Sequence, residues 1–140
     1  MSEPNFSLAD YYKENRQDLS REVNTEQGLR LTIGYIEEAA YEKLRKSAED
    51  VRNPEARRLA IQKKLQNLLA GAVLDWNMTP EIMARYINAD TSKLPAEIPC
   101  EKAIVSDLLN LSDRFFGQVS LEAQDLMAFR AVQEREEQKN

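Results

Sequence analysis

Apolar positions recur at helical intervals along almost the whole chain, and strict apolar–polar alternation is nearly absent. Leu8, Tyr12, Leu19 and Val23 keep roughly one face and predict a first helix over 8–23, with Ser7 as its N-cap and Asp10 three residues on. Leu29, Ile33, Ile36, Ala40, Leu44 and Val51 then form the strongest amphipathic stripe in the chain. With Thr25 as cap they predict a helix over 26–52, ~40 Å long at ~1.5 Å per residue. Gly28 and Gly34 weaken it by ~1 kcal/mol each if they lie in its interior.

Asn53-Pro54-Glu55 stops one helix and starts the next: asparagine caps, proline suits the first turn, and the acid complements the helix dipole. The third helix carries Ile61, Leu65, Leu68, Leu69, Ala72, Val73 and Trp76, and its second half is apolar around most of its circumference, which predicts a central position. The tight joint at Asn53 predicts an antiparallel hairpin of helices two and three. Thr79-Pro80-Glu81 repeats the start signal and opens a short helix over 80–88. Residues 88–99, with two prolines and no period, read as a loop. A helix over 100–116 follows, ended by Gly117 as a C-cap, and Ser120 caps a last helix with Leu126, Phe129 and Val132 inward. The expectation is an all-α fold: one domain over 1–140, a bundle of five major helices plus one short one, with 1–6 and 134–140 frayed.

Composition narrows the chemistry. With 42% apolar and 31% charged residues, 140 residues suit one globular domain with a real core. No apolar run approaches the ~18 residues of a membrane helix. The first residues lack the basic and apolar regions of a secretory signal, and one cysteine makes no internal disulfide. A cytoplasmic protein with no membrane association is the expectation. Histidine is absent, which removes the commonest general base and the usual zinc and di-iron ligand sets. The four glycines form no phosphate cradle. No catalytic residues, no cofactor and no metal are expected.

Charge is unevenly placed. Residues 1–42 hold four Lys/Arg against nine Asp/Glu, residues 43–65 eight against three, and residues 66–140 seven against twelve. Lys43, Arg45, Lys46, Arg52, Arg57, Arg58, Lys63 and Lys64 therefore form a basic cluster around the expected hairpin turn, a candidate contact for a protein partner or a nucleic acid. No aromatic residue is interleaved for base stacking, so a solvated, internally neutralised surface is the alternative.

The stretch LDWNMTPEIMARYIN offers two motifs. Asp75, Asn77 and Thr79 alternate like calcium-loop ligands, but Pro80 and Tyr86 occupy the positions where an EF-hand needs glycine and a bidentate glutamate. MTPEIMARYINAD resembles the opening helix of helix-turn-helix repressors, which implies a cationic recognition helix a short turn later. The next helix instead follows two prolines and reads EKAIVSDLLNLSDRFF, with a net negative charge unsuited to phosphates. Glu37, Glu38 and Glu42 could contribute to a di-metal centre only alongside histidines that the chain lacks. Cys100, near a helix start, is either a reactive thiol or a half-buried packing residue, with no histidine to act as base and with Glu97 and Glu101 opposing the thiolate. Leu31, Tyr35 and Tyr41 form a candidate apolar interface, Leu31 and Tyr35 lying off the main stripe of the 26–52 segment. Trp76 is expected to pack at a corner near Tyr86 and Ile87. Together these readings point to a small protein that acts by binding another protein or itself as a homodimer, as an adaptor, regulator or subunit. A nucleic-acid-associated regulator using the basic 43–64 hairpin is the alternative.

Overall fold

A computed structural model describes residues 5–138. In chain order the elements are α1 (Leu8–Asn15), β1 (Ser20–Asn24), β2 (Arg30–Gly34), α2 (Glu38–Lys46), α3 (Pro54–Ala72), β3 (Val73–Trp76), α4 (Pro80–Met83), α5 (Lys102–Leu111), α6 (Asp113–Ala123) and α7 (Leu126–Gln138). The strands form one antiparallel sheet in the order β1-β2-β3. The fold therefore mixes helices with a sheet, and the expected all-α bundle is wrong.

The error lies in the 26–52 segment. Leu29 and Ile33 are four residues apart, a spacing that fits both a helix turn and two strand repeats. Leu31 decides between them: Leu29, Leu31 and Ile33 alternate along one face and are all fully buried. The predicted helix is really a hairpin turn, a strand and, after Ile36, the nine-residue α2. The hairpin turn explains Gly28, which has φ +84°. Gly28 N–H donates to Thr25 O at 3.1 Å and Thr25 N–H to Leu29 O at 2.9 Å. This is a three-residue hairpin loop whose last position takes a left-handed conformation that glycine adopts without strain. The predicted 8–23 helix likewise stops at Asn15, and Ser20–Asn24 pairs with Gly34–Arg30.

The α3 helix runs directly into β3. Leu31 pairs with Trp76, Thr32 with Asp75 and Ile33 with Val73, so Leu74 is an extra residue in the ladder. Without that bulge Val73 and Trp76 would point to opposite faces. With it, both turn into the core and Leu74 is pushed outward, 55% exposed.

The core lies between this inner sheet face and the helices α3, α5 and α6, with Leu69, Val105, Phe115 and Val119 at its centre. Ser112 makes the joint between α5 and α6: its Oγ accepts from Phe115 N–H at 3.1 Å, which ends one helix and caps the next. Gly117 and Ser120, read as a helix end and a new cap, sit inside α6. Trp76 is buried; its Nε1–H donates to Ile98 O at 2.7 Å, and its ring packs edge-on against Phe115, as does Tyr86. The 88–99 segment is further held where Ile98 N–H donates to Met78 O and Thr91 Oγ1–H to Pro80 O. Residues 134–138, read as a solvated tail, are exposed and continue α7; 1–4 and 139–140, the other parts of the expected frayed ends, lie outside the described residues. Among the described residues, no helix is long and apolar enough to cross a membrane.

Candidate interaction surfaces

The basic cluster is built on α2 and the first half of α3, which fold back on each other. All eight cationic residues are exposed. Several have local work within the fold. Lys43, Arg45 and Lys46 occupy the last turn of α2, where positive charge suits the carbonyl end of the dipole. Arg57 Nε–H donates to Val51 O at 2.8 Å, and Lys64 Nζ donates to Ser47 Oγ at 2.7 Å, so both tie down the turn that links the helices. Asn53 supplies the predicted cap, its Oδ1 accepting from Glu55 and Ala56 N–H. Among the described residues, the ion pair within the cluster is Arg45–Glu42 at 4.0 Å, and so exposed a pair contributes little. Arg52, Arg58 and Lys63 project from the hairpin without a described hydrogen bond or ion pair.

A second surface is a groove of about 1280 Å³ between α1, the end of the sheet where β1 meets β2, α3 and α7. Its walls include Leu8, Tyr11 and Tyr12 of α1, Tyr35 and Ile36 after β2, Leu68 of α3, Leu74 at the bulge and Leu126 of α7. No residue of α1 is buried. The helix forms because Ser7 Oγ accepts from Asp10 N–H at 3.3 Å, yet Leu8, Tyr11 and Tyr12 are 69, 55 and 47% exposed. The link from α1 to β1 is anchored: Arg16 pairs with Glu37 at 3.5 Å, and Gln17 Oε1 accepts from Arg130 and Gln133 of α7. Beneath it, Arg21 pairs with Glu122 and stacks over the Phe129 ring, which also meets Tyr35 edge-on at 5.5 Å.

Of the apolar interface candidates, Leu31 is fully buried in the core and offers no surface. Its place off the helical stripe was the mark of a strand. Tyr41 is half-buried; its hydroxyl is enclosed without a well-formed hydrogen bond, and burial raises its pKa while Gln124 opposes the shift. Only Tyr35 borders the groove. Three other wall residues, Leu8, Tyr12 and Leu126, were read as positions on the buried faces of helices and are exposed; Leu74 was not singled out as an interface residue. For α1 the available signal was a short apolar stripe with a polar middle; for Leu74, a bulge leaves no local signature.

The ligand-like pattern at 75–79 is structural. Asp75 Oδ1 accepts from Trp76 N–H, Asn77 Oδ1 accepts from Arg30 N–H at 2.7 Å, and Thr79 Oγ1 caps α4 through Ile82 N–H. Tyr86 closes the same region. Its hydroxyl meets Thr25 Oγ1 at 3.1 Å and donates toward Gln118 Oε1 at 2.8 Å, while Gln118 Nε2–H donates to Gln27 Oε1 at 2.7 Å. Burial raises the Tyr86 pKa, and the hydrogen bond accepted from Thr25 opposes it. This network fastens the hairpin turn to α6. Cys100 is half-buried with its thiol toward Val73 O at 3.8 Å; burial and, secondarily, Asp75 push its pKa up. That environment favours an unreactive thiol.

Comparison with protein-family models, curated proteins and solved structures returned no match to this chain.

Proposed function

We propose that this chain acts by binding another protein, without catalysis, through the groove bordered by α1. The observation that carries this reading is the set of apolar side chains around one open groove: Leu8, Tyr11, Tyr12, Leu74 and Leu126 are all exposed there. Contiguous exposed apolar surface of this kind is characteristic of interaction sites, and tyrosine is enriched in them. An adaptor, regulator or subunit working in the cytoplasm is consistent with the lone, half-buried cysteine.

A photo-crosslinking amino acid in place of Tyr12, introduced in the cell that makes the chain, tests this. A protein adduct should form from position 12, not from the exposed loop position Ser92, and Leu74→Asp should abolish it. No adduct from position 12 would reject the reading.

The projecting Arg52, Arg58 and Lys63 favour one second reading, a nucleic-acid contact at the hairpin. Arg58→Glu with Lys63→Glu is the suitable variant, because Arg57 and Lys64 hold the turn together. A salt-sensitive mobility shift on DNA or RNA that this variant abolishes would support it. Absence of any shift by the unaltered chain at low salt would end it.

A further inference from the structure

We propose that the groove's occupant is α1 of a second copy of this chain, docked reciprocally so that two α1 helices pair across a two-fold axis. This rests on the protein-binding reading above and names its partner.

The first support is the condition of α1 itself. A lone helix shorter than ~12 residues is marginal in water, and helices of this length are held by packing an apolar face. The eight residues of α1 bury none of theirs within one copy. The helix needs a cover, and the groove beside it needs a filling. Both requirements sit on the same chain, the self-complementary arrangement that an isologous dimer uses.

Area gives the second support. Leu8, Tyr11, Tyr12, Leu74 and Leu126 retain between 38 and 69% of their surface, on the order of 100 Å² each for side chains of this size. Two copies would together remove ~1,000 Å² of apolar surface. At the ~60% apolar share usual for interfaces, this implies ~1,600 Å² in total, the standard size for a stable complex.

Placement gives the third. The anchored segment after α1, held by Gln17 and Arg16, keeps each helix at the mouth of its own groove.

Multi-angle light scattering on the purified full chain at about 50 μM should report a dimer, held together by contacts of hot-spot strength. Tyr12→Asp and, separately, Leu74→Asp should each weaken the dimer ~100-fold while Trp76 emission stays unchanged, since neither side chain is in the core. A wild-type monomer overturns the proposal, and so does a dimer indifferent to the α1 and Leu74 variants or broken instead by Lys63→Glu. A monomer whose position-12 crosslinker captures a different protein overturns this inference while leaving the binding role standing.

Discussion

Replacing Tyr86 with Phe removes one oxygen atom and leaves the β1–β2 turn tied to α6 through Gln27 and Gln118 alone. The hydroxyl has one proton to give. Gln27 Oε1 already receives the Gln118 amide at 2.7 Å, so the proton goes to Gln118 Oε1 at 2.8 Å, and the oxygen accepts from Thr25 at 3.1 Å. Two hydrogen bonds are lost. Each contributes ~1 kcal/mol net, and an acceptor left enclosed without a partner costs about another 1 kcal/mol or more. Thr25 can turn to solvent and still accept from Leu29 N–H, which limits the damage. The ring stays against Phe115, so no cavity forms. The expected destabilisation is ~2 kcal/mol. For a chain of this length that lowers Tm by about 7 °C. Urea unfolding followed by Trp76 emission is the assay, because Trp76 is buried and the only tryptophan. The midpoint should fall with the slope unchanged. The Gln118→Leu variant combined with Tyr86→Phe should show a coupling of ~1 kcal/mol. A Tyr86→Phe effect below about 0.5 kcal/mol would mean that the hydroxyl is effectively solvated and adds nothing to the hold on the turn.

Two glycines should respond in opposite directions to alanine in the same unfolding assay. Gly28→Ala forces a side chain to adopt φ +84° with its Cβ 3.2 Å from the Arg85 guanidinium, so a loss of ~1–2 kcal/mol is expected; a stabilised variant would contradict the turn. Gly117→Ala meets nothing within 4 Å inside α6 and should gain up to ~1 kcal/mol, whereas a helix-ending glycine there would lose stability. Leu31→Ala should cost about 2–5 kcal/mol as a fully buried strand residue, and a change near zero would return it to the surface. For Cys100, the folded pKa lies above the usual value, so the unfolded chain ionises first. The stability this neutral thiol adds is full below the unfolded pKa of ~8.5 and declines as pH rises through it. Its reaction with a disulfide reagent at neutral pH should be slower than that of the urea-unfolded chain and should accelerate with pH. An equal or faster rate at neutral pH would refute the burial argument.

Helix starts were legible because capping is local. Ser7, Asn53 and Thr79 were each read as caps, and each accepts a backbone N–H within the next three residues; Thr25 and Ser120, read the same way, lie in the β1–β2 turn and inside α6 and start no helix. The basic hairpin was legible for the same reason, since its charges and its turn lie within one short segment. Ser112 was missed because Leu111 and Phe115 continue a helical apolar pattern across the break. The sheet was decided elsewhere. Leu31 and Trp76, partners in the ladder, are separated by the whole of α2 and α3, and pairing over that distance leaves no periodic trace. At Leu29 and Ile33 the local pattern fits helix and strand equally; Leu31 between them was the one local mark of a strand, and pairing with β1 and β3 on either side makes it one. The candidate site shows the same division. Its apolar side chains can be read from the chain, but which of them face outward depends on a bulge at Leu74 and on α1 stopping at Asn15. Local sequence determined the caps, the turns and the basic hairpin; tertiary packing decided which apolar residues became core and which were left as a surface for a partner, because burial is a property of what lies across the fold and not of the neighbours in the chain.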